Sequence, residues 1–288
     1  MRGYLIVNGF LRTQKFERLY ALLQNAAKTR KIELEIRTGS SILRDLQSDK
    51  HTADLPTFAL FWDKDVYLAK RLERLGVRLF NNARAVELCD NKLLTALALA
   101  EKGIETPKTV FAPKTFEGVG YHDLRFLTEA EQTLGCPMVI KEGYGSFGAQ
   151  VYLAKNRAEA EKIIEKIGYK DFLMQEFIAC SQGRDVRVNV VGGKAVCAIL
   201  RENGADFRSN ISGGGTASAY TLTDEQAKIA IAACEAVGAD FAGVDVLFGE
   251  GNKPLVCEVN SNPQFESTLL ATGVDLSEYI FDYVVKRL

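Results

Sequence analysis

Pro137-Met138-Val139-Ile140-Lys141-Glu142-Gly143-Tyr144-Gly145-Ser146-Phe147-Gly148 decides how the rest of the chain is read. Its first five residues are a short apolar run that opens on proline and closes on lysine, which predicts a buried strand. Gly143, Gly145 and Gly148 then let backbone N–H groups turn inward, a geometry that can cradle phosphate oxygens. Lys141 adds a point charge at the end of the strand. Residues 149–153 read as a second strand, so the glycines join strand to strand. That excludes a Walker A loop, which ends in Gly-Lys-Ser/Thr and opens a helix. Alone, the loop is equally an ordinary glycine hairpin.

Two groups further along sharpen the reading. Residues 243–248 and 254–259 are strand-like, joined by Gly249-Glu250-Gly251-Asn252-Lys253. Residues i and i+2 of a strand face one side, so Glu258 and Asn260 point together and a hairpin sets Asp245 opposite them. Two carboxylates and an amide, all oxygen donors, suit Mg²⁺ bridging phosphates. Apolar neighbours favour this, because a bare buried carboxylate is costly. Facing solvent, Glu258 would be just the polar half of an edge strand. Arg184, Arg187, Arg201 and Arg208 form the other group, with Ser209, Asn210 and Gly213-Gly214-Gly215 after the last. Guanidinium forks bind carboxylate and phosphate through paired bonds. Arg208-Ser209-Asn210 reads as a loop over an anionic site, whereas for Arg187 and Arg201 a plain ion pair has equal weight.

The composition fits this chemistry. The chain has 288 residues, 36 Lys plus Arg against 37 Asp plus Glu, and a net charge of −1, which argues against a nucleic-acid-coating protein. No apolar run approaches the roughly 20 residues of a membrane span. Residues 1–8 read as a buried strand and not a signal peptide, which makes the cytoplasm the expected location. The six cysteines include no CxxC pair, so no zinc ribbon or disulfide framework is expected; Cys89, Cys180 and Cys257 read as buried structural thiols. His51 and His122 both read as surface residues, which leaves carboxylates, amides, arginines, lysines and backbone N–H groups to carry the chemistry.

N-terminal to the loop, strand-like and helix-like segments alternate as in a parallel-sheet α/β unit. Residues 5–7, 32–36, 58–62 and 77–80 read as strands; Phe16, Leu19, Tyr20 and Leu23 recur at helical spacing, and 66–75 is helical. Asp63-Lys64-Asp65 then falls at a strand's carboxyl end, where open α/β sheets bind ligands, and Asn8 and Gly9 fall at another; helix capping by Asp63 or Asp65 is the equal alternative. One helix is expected over 83–102, ended by Gly103 and Pro107. Residues 106–178 read as a small α+β module, a plausible lid.

Taken in order, Asp90-Asn91-Lys92, Val139-Ile140-Lys141 with the glycine loop, Gln175-Glu176-Phe177-Ile178, Gly183-Arg184-Asp185-Val186-Arg187, Asp206-Phe207-Arg208-Ser209-Asn210, Gly243-Val244-Asp245 and Glu258-Val259-Asn260 are far more specific than any single motif. Over residues 89–288 the chain resembles the ATP-grasp superfamily, and within it the RimK-like amino-acid (glutamate) ligases. The resemblance implies an α/β ATP-grasp fold over 86–288, two α+β sub-domains (about 106–178 and 179–288) clasping ATP, preceded by a pre-ATP-grasp α/β domain over 1–85. It implies that Lys92 and Lys141, with Gly145, Ser146 and Gly148, hold the ATP phosphates. Glu176, Phe177 and Ile178 would meet adenine, and Asp185 would complete the nucleotide site. Arg208, Ser209 and Asn210, with Arg201, would meet the γ-phosphate and the developing acyl phosphate. Asp245, Glu258 and Asn260 would ligate Mg²⁺ or Mn²⁺, two ions in all.

The implied activity is ATP-dependent carboxylate–amine ligation through an acyl phosphate, adding an amino acid such as glutamate to an amine of a small molecule, peptide or protein terminus. A dipeptide or peptide-natural-product ligase and a non-catalytic ATP-binding regulator are the alternatives; intact metal ligands speak against the last. The implied partners are an amino-acid donor, an amine acceptor and further copies of the chain in a dimer or tetramer, with no nucleic acid and no membrane. One departure bears on the acceptor: Ser261-Asn262-Pro263-Gln264-Phe265-Glu266 stands where ribosomal-protein-modifying members usually carry a small-residue Pro-Gly version, so this stretch is expected to line the acceptor pocket, with Gln264 and Phe265 departing from that pattern. The acidic residues at 63–65 could attract its amine.

Overall fold

Residues 4–7 are apolar and buried, and they make β1 (Arg2–Val7) a central strand of a parallel sheet ordered β2-β1-β3-β4, with β2 at Glu33–Thr38, β3 at Phe58–Trp62 and β4 at Arg78–Phe80. Strands covered on both faces lose the polar alternation, which is why 58–62 is wholly apolar. Successive side chains go to opposite sides. Leu5 and Val7 meet α1 (Gln14–Thr29), while Tyr4 and Ile6 share a second core with Ile42 of α2 (Gly39–Gln47) and Leu68 of α3 (Val66–Arg74). The computed structural model of the chain describes residues 1–11, 13–47, 55–146 and 148–288. His51 and Phe147 lie outside the described residues; His122 is exposed.

The single helix expected over 83–102 is two helices, α4 (Ala83–Asp90) and α5 (Lys92–Glu101). Asn91 divides them. Its backbone is extended, and its Oδ1 accepts the N–H groups of Leu93 and Leu94, the N-cap role for which asparagine is among the best residues. The break puts the chain against the glycine loop: Lys92 N donates to Gly143 O at 2.8 Å, and Asn91 bridges to Tyr144.

The glycine loop belongs to an antiparallel sheet ordered β5-β8-β6-β7, made of β5 (Thr109–Phe111), β6 (Met138–Glu142), β7 (Val151–Ala154) and β8 (Phe172–Glu176). Helices α6 (Arg125–Leu134) and α7 (Arg157–Ile167) close its core through Leu127, Ala130, Ala160 and Ile164 packed on Ile140 and Phe172.

A second antiparallel sheet, ordered β11-β10-β9-β12-β13, contains β9 (Arg184–Val191), β10 (Lys194–Glu202), β11 (Thr216–Ala219), β12 (Phe241–Phe248) and β13 (Pro254–Asn260). Helix α8 (Asp224–Ala236), opened by a Thr223/Gln226 capping box, covers one face. Helices α9 (Glu266–Thr272) and α10 (Leu276–Arg287) follow the last strand. Ile280, Phe281 and Val284 of α10 enter one core with Leu19, Leu23, Trp62 and Phe241, so the parallel sheet and the C-terminal sheet share their hydrophobic interior. No helix among the described residues is long and apolar enough to cross a membrane.

Candidate active site

Strand register alone builds a row of charge across the C-terminal sheet. Asp185 pairs with Arg201, Arg187 with Asp245, and Asp245 with Glu258. Directly opposed residues share a face, and Asp185 and Arg187, two apart on β9, share it too. All five side chains therefore project from one side of β10-β9-β12-β13. The pairing is tight. Arg201 donates to Asp185 through Nε at 2.7 Å and Nη2 at 2.5 Å, and reaches Asp245 at 3.0 Å. Arg187 makes a two-bond fork onto Asp245, and Ser209 Oγ donates to Asp185 at 2.6 Å.

Burial opposes ionisation of Asp245, but Arg187 and Arg201 outweigh it and hold that carboxyl below its ordinary range. Asp185 goes the other way: burial pushes it up more than Arg201 pulls it back. Arg201 stays charged because the two carboxylates outweigh its own burial.

At the far edge of the row the donors are free. Glu258 has no hydrogen bond or ion pair among the described residues, and Asn260 uses Nδ2 on Gly243 O at 3.3 Å, leaving its Oδ1 available. Among the described residues no three His, Cys, Asp or Glu side chains are placed to hold a metal ion by themselves. A hard cation here would be held by Asp245, Glu258 and Asn260 together with phosphate or water oxygens, and an all-oxygen set fits Mg²⁺. A bulge separates Asp245 and Val246 in the β12–β13 register, with Cys257 as the extra residue. It turns Cys257 into the cleft, where its Sγ lies 3.4 Å from Lys141 Nζ, so the thiol is only half-buried by residue although burial pushes its pKa up. Cys89 is buried as expected, whereas Cys180 is exposed.

The glycine loop hangs opposite this row. A side chain at Gly145 would strike Gln150 Oε1, and one at Gly148, where φ is +75°, would strike Asn210 Oδ1. Arg208 locks the loop from the C-terminal side: it forks onto Asp206 and donates to Gly148 O at 2.6 Å. Lys92 Nζ donates to Gly145 O at 3.1 Å, and Lys64 Nζ to Ser146 Oγ at 3.0 Å. Three cations from three parts of the chain thus converge on one loop. Glu176, Phe177 and Ile178 line the cleft where β8 ends, with Phe177 edge-on to Phe207.

The cleft, about 320 Å³, brings together the candidates for the nucleotide, metal and acyl-phosphate sites: Lys92, Lys141, Gly145, Ser146, Gly148, Glu176, Phe177, Ile178, Asp185, Arg201, Arg208, Ser209, Asn210, Asp245, Glu258 and Asn260. It also extends past them to Asn8, Lys15, Trp62, Asp63, Lys64, Asn262 and Gln264. Of the acidic stretch, Asp63 and Lys64 line the cleft, while Asp65 caps α3 by accepting Leu68 N at 2.9 Å. Phe265 is fully buried against Trp62 and does not line the cleft. Lys15, Gln150 and Cys257 are site residues that the sequence does not single out; they come from a helix start, a turn and a bulge, none of which carries a periodic signal.

Two antiparallel sheets facing one cleft, with a glycine loop on one and a carboxylate–amide row on the other, define the class: an ATP-grasp enzyme, an ATP-dependent carboxylate–amine ligase. The model of the RimK-like ATP-grasp domain matches residues 89–284, and the chain belongs to that family. It is 39% identical over 220 residues to a probable alpha-L-glutamate ligase of Aliivibrio fischeri, across 75% of this chain and 70% of that one. It is 31% identical over 262 residues to the MG012 homolog of Mycoplasma pneumoniae, across 89% of each. A RimK domain ATP-grasp protein from Sphaerobacter thermophilus shares the fold with a TM-score of 0.73 over 98% of this chain and 99% of its own, at 21% identity.

Proposed function

We propose that the chain joins an amino acid such as glutamate to its partner substrate through an acyl phosphate. A substrate carboxylate attacks the γ-phosphorus of ATP and ADP leaves; an amine then attacks the acyl carbon and inorganic phosphate leaves. The observation that carries this is the convergence of Lys92, Lys141 and the glycine loop on one side of a cleft with Asp245, Glu258 and Asn260 on the other. Phosphoryl transfer needs positioning and neutralised charge more than a protein nucleophile, and that is what these side chains offer.

In this reading Lys92, Lys141 and the N–H groups around Gly145, Ser146 and Gly148 grip the phosphates, and residues 176–178 seat the adenine. Arg208, Ser209 and Asn210 lie over the transferred group. Arg201 acts as a positioning residue by holding Asp185 and Asp245 in place. Magnesium bound by Asp245, Glu258 and Asn260 would neutralise phosphate charge. Residues 106–178 act as the lid that keeps water from the acyl phosphate.

The test is ADP release with Mg-ATP and one candidate carboxylate at a time, with hydroxylamine present to trap the acyl group. Carboxylate-dependent ADP with a matching hydroxamate is the expected result. Tight nucleotide binding with no hydroxamate from any carboxylate, amines present or absent, would overturn the reading.

A further inference from the structure

Beyond the phosphate-binding half, the cleft ends in two charges that no other described residue answers. Asp63 is 7% exposed. One of its oxygens accepts Asn8 Nδ2 at 3.1 Å and Lys64 N at 2.7 Å, but no cation among the described residues pairs with it. The neighbouring lysine is turned away: Lys64 Nζ goes to Asp90 and Ser146. Lys15 lines the same end of the cleft, and its ammonium has no acceptor among the described residues. It sits in the first turn of α1, where the helix field disfavours a cation, so the fold gains nothing from its charge. Asn262 adds a buried Oδ1 with no hydrogen-bond partner among the described residues.

These groups form a built site. Asn262 Nδ2 donates to Asp63 O at 3.0 Å, and Gln264 Nε2 donates to Lys15 O at 3.3 Å, so one loop after β13 ties both walls together. A buried carboxylate without a counter-ion and a buried amide oxygen without a donor are each costly, and a ligand that brings an ammonium satisfies both.

We propose that Asp63 and Asn262 bind the ammonium of the amine substrate and that Lys15 selects an amine that also carries a carboxylate. This rests on the ligase reading, with the amino acid supplying the attacking amine and not the activated carboxylate, and names the residues that choose that amine. The proton that the ammonium gives up before its nitrogen attacks has the Asp63 carboxylate beside it to receive it.

The test is calorimetric titration of L-glutamate and of glutarate, its amine-free counterpart, into the full chain with Mg²⁺ and a non-hydrolysable ATP analogue. Lys15→Met should weaken both ligands by about tenfold or more, and Lys15→Arg should recover most of that loss. Asp63→Asn should weaken L-glutamate about tenfold and leave glutarate no weaker, a split that general damage to the cleft would not produce. Nucleotide affinity and thermal midpoint report whether each variant is folded. L-Glutamate affinity within about twofold of wild type in both Lys15→Met and Asp63→Asn overturns the proposal. So does an equal loss for the two ligands in Asp63→Asn, or no L-glutamate binding to the wild type. The hydroxamate assay on the wild type judges the ligase reading separately, because hydroxylamine carries neither the ammonium nor the carboxylate that this site would read.

Discussion

Lys92 illustrates how burial would tune the proposed phosphate grip at one residue. Burial holds its ammonium below the ordinary lysine value of 10.5, with Lys141 and Lys64 adding to the effect and Glu258 opposing it. A polyphosphate is held by the charged form. Nucleotide affinity should therefore be steady near neutrality and fall on the alkaline side sooner than an ordinary lysine would dictate. Lys92→Arg should move that fall to higher pH, because guanidinium does not lose its proton in this range. Nucleotide titrations from about pH 7 to 10 check it; identical alkaline limbs for the two proteins would refute it. Arg201 is the opposite case, a cation kept for what it holds. Arg201→Met leaves buried Asp185 without its counter-ion, and the expected loss is roughly 3–5 kcal/mol in urea unfolding. The sign with pH follows from Asp185, whose carboxyl burial already raises. Without Arg201 it rises further, so the variant's deficit should be largest near neutrality and shrink as acid lets the folded state take up a proton.

At the scale of elements, the glycine loop works through what its glycines leave room for. Gly148→Ala places a methyl group 2.7 Å from Asn210 Oδ1 at a φ of +75°, where Arg208 also grips the loop's carbonyl. Loop and partner must separate, so turnover should fall by about tenfold or more while the thermal midpoint drops only modestly, the strain of a left-handed alanine being about 1–2 kcal/mol. A midpoint collapse, or full turnover, would show that the loop is merely structural. The elements themselves were unevenly legible. Strands β1, β3 and β6 carry continuous apolar runs and β9 alternates polar with apolar residues, and register then makes the Asp245–Glu258 juxtaposition a matter of counting by two. The break at Asn91 hides in a leucine- and alanine-rich stretch because the cap that causes it is filled partly by tertiary contact with Gly143 and Tyr144. Strands β5 and β11 and helix α9 are too short or too polar for periodicity to show. The cleft's far end was the least legible, since the Asn262–Asp63 bond joins residues 199 apart in sequence and no local pattern encodes it.

At the scale of the molecule, the proposed function requires the parallel sheet to stay fixed to the C-terminal sheet, because Asp63, Lys64 and Lys15 come from the unit of one and the charged row from Asp185 to Glu258 from the other. Asn81 is a principal fastener. It has no exposed surface, and its amide makes four bonds across the junction: Nδ2 donates to Phe241 O and Ser261 O, each at 2.9 Å, and Oδ1 accepts from Asp240 N at 2.6 Å and Phe241 N at 3.2 Å. Asn81→Ala strands those backbone groups in a dry interior at about 1–3 kcal/mol each, and because such losses do not add fully the expected destabilisation is roughly 3 kcal/mol or more. The form of the transition is also set by the fold. Trp62, the single tryptophan of the chain, stacks on Phe241 at 5.3 Å inside the core that both sheets share, so its fluorescence reports this junction. A junction held by a common core cannot open without exposing that core. The midpoint seen by Trp62 fluorescence and the midpoint seen by far-ultraviolet circular dichroism should therefore coincide in urea, and should move down together in Asn81→Ala. An early fluorescence transition in the wild type, well before secondary structure is lost, would mean that the two sheets come apart as separate units and that the cleft's far end is assembled only when substrates draw them together.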